Sequence, residues 1–207
     1  MRLDDALDQL SEIHAHVLRG AVFRGYRSGP IAATALLALT AATVQSWLAP
    51  PTGTVSFAVA WLTVALASTA VCAFDLWVQA RHVPARVWQR RTMPVLCQSL
   101  PALTVGGLLT WLFLDGPRAG LLPGLWSMLF GLAVFSARPY LPRAVGWVSA
   151  WYVLAGVVVL ASNSGANVPS PWSMGVPFAV GQALLALVLK LGLERSPSPA
   201  IGEGGLS

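Results

Sequence analysis

Six runs of apolar residues alternate with short polar breaks along the chain: Pro30–Ala49, Gly53–Leu76, Pro94–Leu114, Gly120–Ala137, Leu141–Ala161 and Pro171–Leu193. Crossing the hydrocarbon core of a bilayer takes about 20 mostly apolar residues in a helix, and each run is of that order. An unpaired backbone group in lipid is costly, so such runs must close their hydrogen bonds internally as helices. The alternating short segments of a membrane β-barrel are missing from the pattern. The breaks carry turn chemistry: Pro50-Pro51-Thr52-Gly53, Asp115-Gly116-Pro117-Arg118, Arg138 to Arg143 with Pro139 and Pro142, and the polar stretch Ser162 to Asn167. The expected fold is therefore all-α, a polytopic membrane bundle of about six transmembrane helices over residues 30–193.

A different periodicity precedes the first run. Leu3, Leu7, Leu10, Ile13, Val17, Leu18 and Ala21 recur at helical spacing and form one apolar stripe. Asp4, Asp5, Asp8 and Glu12 come early and Arg19 late, the order that suits a helix macrodipole. Residues 1–27 are expected to form a cytoplasmic amphipathic helix ahead of the bundle. Arg24 and Arg27 are candidate membrane-surface anchors, each able to gain about 1 kcal/mol from anionic headgroups. This polar opening also differs from a cleaved leader, which begins with a short basic region and a short apolar run. Residues 196–207, with Ser-Pro repeats and glycines, are expected to be a disordered tail.

Charge fixes the expected orientation. The chain has 13 Lys and Arg residues. Arg2, Arg19, Arg24, Arg27, Arg81, Arg86, Arg90, Arg91, Arg138, Arg143, Lys190 and Arg195 fall on one side of a six-span map, and Arg118 alone falls on the other. By the positive-inside rule the majority side is cytoplasmic, with both termini there. A missed or invented span would scramble this segregation. Trp47, Trp77, Trp111, Trp147 and Trp172 sit near the ends of runs, where an indole ring prefers the headgroup level. Trp61, Trp126 and Trp151 lie deeper and read as packing residues.

Composition agrees with lipid as the main solvent. Hydrophobic residues make up 56% and charged residues 10%, with a mean hydropathy of +0.66. A water-soluble domain carries about a quarter charged residues, so this chain cannot clothe an ordinary aqueous surface. A pI near 10 would suit nucleic acid if the basic residues formed a patch on a polar face, but here they flank apolar runs. No nucleic acid partner is expected. Usage rich in Ala, Arg, Leu and Gly with a single Lys points to a GC-rich bacterium, and so to the bacterial cytoplasmic (inner) membrane.

Chemistry-bearing residues are few, and no catalytic, cofactor-binding or metal-ligating set stands out. Cys72 and Cys97 read as buried small hydrophobes. Together with Asp75 and His82 they could offer zinc-type donors, but the spacing matches no established ligand pattern. Buried charge is nearly absent from the spans, which argues against ion-coupled transport of the usual kind. Gln45, Gln98 and Gln182 are the amides inside the runs, and Pro101 and Pro177 the prolines farthest from their ends. Gln98, Pro101, Pro177 and Gln182 are the candidate substrate or pore lining, because prolines free backbone carbonyls near transporter midplanes. A faint repeat aligns Val55, Ala60, Trp61 and Ala65 with Val145, Ala150, Trp151 and Ala155, and sets Phe57 against Trp147. It would pair the second and fifth spans in opposite orientations.

The segment Leu122-Pro123-Gly124-Leu125-Trp126-Ser127-Met128-Leu129-Phe130-Gly131, together with the leading helix, resembles a loosely defined group of bacterial six-helix integral membrane proteins. In that group a cytoplasmic helix precedes the first span and an LPGxW-type segment opens the fourth. The resemblance implies topology and supplies no activity. The first functional expectation is a non-enzymatic regulatory, sensing or scaffold component that docks partners through its amino-terminal helix. The alternative is a small permease or channel subunit for a neutral or small solute, working as an oligomer. The expected partners are the lipid bilayer and either a second copy of the chain or a cytoplasmic protein.

Overall fold

The computed structural model describes residues 27–81, 85–114, 118–163 and 168–194. The leading amphipathic helix, Arg24, His82 and the carboxyl-terminal tail lie outside the described residues. Within them the regular structure is entirely helical: α1 Ser28–Trp47, α2 Thr54–Ala80, α3 Ala85–Phe113, α4 Leu122–Ser136, α5 Val145–Asn163 and α6 Trp172–Glu194, with 3-10 turns at Ala119–Leu121 and Arg138–Tyr140. Six of these stretches are long and apolar enough to cross a membrane, the 3-10 turn at Ala119 extending α4 to an 18-residue span.

Local chemistry explains where the helices begin and end. α1 stops ahead of Pro50-Pro51, which cannot continue a helical ladder. At the start of α2, Ser56 Oγ accepts from the Gly53 N–H at 3.2 Å and donates to the Gly53 carbonyl at 2.8 Å, satisfying groups the first turn leaves open. Pro123 stands in the first turn of α4, where a missing N–H costs nothing. The apolar runs underestimate α2 and α3, which extend to Ala80 and back to Ala85. Apolarity ends there, but Gln and Arg are good helix formers and the backbone continues. Hydroxyls inside the spans fold back on their own helices: Thr40, Thr43, Ser46 and Thr69 donate to carbonyls three or four residues earlier. Such bonds let polar side chains sit in lipid without orphaned donors.

Packing is uneven. α4 and α5 form the most extensive pair and α1 and α6 the next, while α6 also touches α5 and α4. These four helices make the core. α2 lies against α1 at one edge, and α3 lies against α4 at another. Ile31 meets Leu189 and Ala42 meets Met174, so α1 and α6 are antiparallel. Arg27 approaches Asp75 at 4.0 Å while Ala42 packs near Phe57 and Trp61, which makes α1 and α2 antiparallel as well.

The α4–α5 contact is set by small residues. A Cβ on Gly156 would lie 2.8 Å from the Gly124 carbonyl oxygen, and one on Gly124 would lie 2.8 Å from that of Gly156. The two backbones therefore touch at a point only glycine allows. Ser127 Oγ donates to the Tyr152 carbonyl at 2.9 Å and Ser149 Oγ to the Gly131 carbonyl at 2.7 Å, crossing the same interface. Small residues with interhelical hydrogen bonds are how helices associate where no hydrophobic force drives them together. Tyr152 is fully buried, with its ring 4.8 Å from Phe130 and 5.4 Å from Phe178 between centroids, and it fills the space that a Cβ on Gly181 would claim.

Candidate functional site

The four residues singled out as a lining come from two helices, α3 and α6. Gln98 and Pro101 are on α3, half-buried and exposed respectively, and α3 packs on α4. Pro177 is buried in α6 and Gln182 half-buried one turn and a bond further on, with α4 and α5 beside them. Pro177 has a specific partner: the Trp151 indole Nε1–H donates to its carbonyl at 3.1 Å, joining α5 to α6. Trp126 likewise donates to Thr110 Oγ1 at 2.8 Å, joining α4 to α3. Of the three indoles expected to pack, Trp126 and Trp151 do so by donating their N–H across helix boundaries. The chain-end set stays open to its surroundings, from 39% exposure at Trp172 to 81% at Trp147.

At the end of the bundle that carries Arg27, Asp75 is held by two neighbours. Gln79 Nε2 donates to Oδ2, and the Arg27 guanidinium stands 4.0 Å from Oδ1 with its own side chain largely exposed. An ion pair so open to solvent contributes little to stability, in the range of about 0–1 kcal/mol. It does fix the start of α1 beside the end of α2. Cys72 is half-buried one turn from Asp75, whereas Cys97 is exposed on α3 and so differs from the buried position expected of it. α3 sits at the edge of the bundle, and that position exposes the thiol. Among the described residues, no group of three His, Cys, Asp or Glu side chains could hold a metal ion.

Among the described residues, three buried polar atoms have no hydrogen-bond partner: Trp61 Nε1, Gln98 Oε1 and Tyr152 Oη. Tyr152 is enclosed by rings. Trp61 differs, because its indole also borders a cavity of about 430 Å³ between α1 and α2. The wall opposite is Gln45, 7% exposed, and the floor near the interhelical turn is Pro50 and Pro51. The lining is mostly apolar and, among the described residues, contains no charged side chain. Val44, Thr52, Ser56 and Thr63 at its rim are exposed, so the cavity opens outward between the two helices.

No protein-family model matches the chain, and no curated protein or solved structure does. The chemistry has to be read from these residues alone.

Gln45 and Trp61 are each visible in the sequence, one as an amide inside a run and the other as a deep indole. Their convergence is not, because it depends on how the Pro50–Gly53 turn sets the register of α1 on α2. In the folded chain both lie on faces shared with Ala38, Ala42 and Phe57, which form one apolar cluster with Met174.

Proposed function

We propose that this protein is a non-enzymatic membrane component, a scaffold or regulator, that holds residues 1–27 at the cytoplasmic face of a bacterial inner membrane as a docking element for a protein partner or a second copy. The observation that carries this reading is the dense middle of the core. Backbone meets backbone at Gly124 and Gly156, and the rings of Phe130, Tyr152 and Phe178 occupy the space between α4, α5 and α6. Interiors packed in this way behave as rigid supports. A permease would route solute past Gln98 and Pro101 on α3 and Pro177 and Gln182 on α6, and α3 makes its main contacts with α4. The orientation follows from Arg27, Arg81, Arg138, Arg143 and Lys190 on the side assigned to the cytoplasm and Arg118 on the other.

Deletion of residues 1–27 tests the reading. The truncated chain is expected to insert and keep the melting temperature of the full chain in detergent, while losing its co-purifying partner or its oligomeric state by light scattering. If partners and oligomeric state both survive the deletion, the docking role is wrong. Saturable solute flux through the full chain in proteoliposomes would put the permease in its place.

A further inference from the structure

We infer that the cavity between α1 and α2 is a binding site for one bilayer lipid, seated by its glycerol-ester region, with Gln45 and Trp61 hydrogen-bonding to the ester carbonyls. The inference goes beyond a scaffold role and does not depend on it. Its starting point is an imbalance. Trp61 is 3% exposed and its buried Nε1–H has no acceptor, and the Gln45 side chain, 7% exposed, lies across the same space. A buried donor left without a partner costs free energy that an incoming acceptor recovers. Both side chains line the same space, so a single ligand can satisfy both.

The lining specifies that ligand. With no charged residue in the wall, nothing compensates an ion, so the part that enters must be neutral. With Ala41, Val44, Ala60 and Val64 making most of the remaining surface, that part must also be largely apolar. Indole N–H and the amide NH₂ are donors, so it must carry acceptor oxygens. A volume of about 430 Å³ admits a segment of a lipid, not a whole one. Depth selects among neutral acceptors. Gln45 is within a turn of the end of α1 at Trp47, which is 78% exposed, and the turn residues Pro50, Pro51 and Thr52 border the mouth. Exposed Trp marks the headgroup level, and just beneath it lie the acyl-ester carbonyls of glycerolipids. The exposed rim between α1 and α2 leaves the acyl chains free to run along the outside of the bundle.

Native mass spectrometry of the delipidated full chain tests this with two probes: diacyl phosphatidylethanolamine, and its dialkyl ether analogue with the same headgroup and chain lengths but no carbonyl. The ester lipid is expected to be retained at one copy per chain, about 30-fold more strongly than the ether, the effect of two net hydrogen bonds. Gln45→Leu and Trp61→Phe, which remove the polar groups and keep most of the volume, should each cut that preference to about fivefold, and together they should abolish it. Leu103→Ala, at an exposed apolar position on α3, should leave it intact. Equal retention of ester and ether lipid by the native chain would overturn the inference without reliance on any variant. So would a preference that survives both substitutions, or palmitic acid displacing the ester lipid at equal concentration.

Discussion

α2 and α5 carry matching residues at a constant offset, Val55, Ala60, Trp61 and Ala65 against Val145, Ala150, Trp151 and Ala155, yet they live in different surroundings. α5 is embedded between α4 and α6, whereas α2 leans on α1 alone among its main contacts. Phe57 is fully buried and its counterpart Trp147 is 81% exposed. Trp61 keeps an unpartnered N–H beside a cavity, and Trp151 donates to the Pro177 carbonyl. The difference lies in residues outside the shared string. α5 has Ser149 and Gly156 on one face, seven apart, which let another backbone come within touching distance. α2 contains no glycine, so its neighbour is held off at side-chain length and a gap remains. Apolarity puts a helix in the membrane; small residues decide how deeply it is embedded there.

The contrast can be broken most forcefully at Gly156. Replacing it with Leu forces atoms into the Gly124 carbonyl and Met128, and overpacking of that kind should cost more than about 3 kcal/mol. The readout is thermal unfolding in detergent, and an unchanged midpoint would mean that α4 and α5 do not touch as described. Next come the matched aromatics. Phe57→Ala should destabilise by about 3 kcal/mol, whereas Trp147→Ala should stay within about 0.5 kcal/mol because its ring faces outward. Similar losses at the two positions would erase the asymmetry between the helices. Smallest is Ser149→Ala, expected to cost about 0.6 kcal/mol for its bond to the Gly131 carbonyl.

Much of this architecture was legible in the sequence because lipid imposes a coarse rule. Each run long enough to span became a helix, and the indoles divided by their place in a run: Trp47, Trp77, Trp111 and Trp147 outward, Trp61 inward. The ends of α2 and α3 were harder, since hydropathy reports the membrane boundary and a helix has no need to stop there. The cavity was not readable. Gln45 and Trp61 are sixteen positions apart, and no periodicity within either run reveals that the turn between them folds one onto the other. Nor did composition tell which helices would stand at the edge, so Cys97 was expected inside and lies outside.

Unequal helix lengths have a mechanical consequence. α2, at 27 residues, reaches about 40 Å, while α4 with its leading turn reaches about 27 Å, against a hydrocarbon thickness of about 30 Å. The short helix packs against α3, α5 and α6 and meets acyl chains mainly near its end, at Leu132 and Phe135. The long one stands at the rim and must lean, or make the bilayer swell around it. Any thinning or thickening of the membrane therefore presses on α2 and, through Asp75 and Arg27, on the foot of α1.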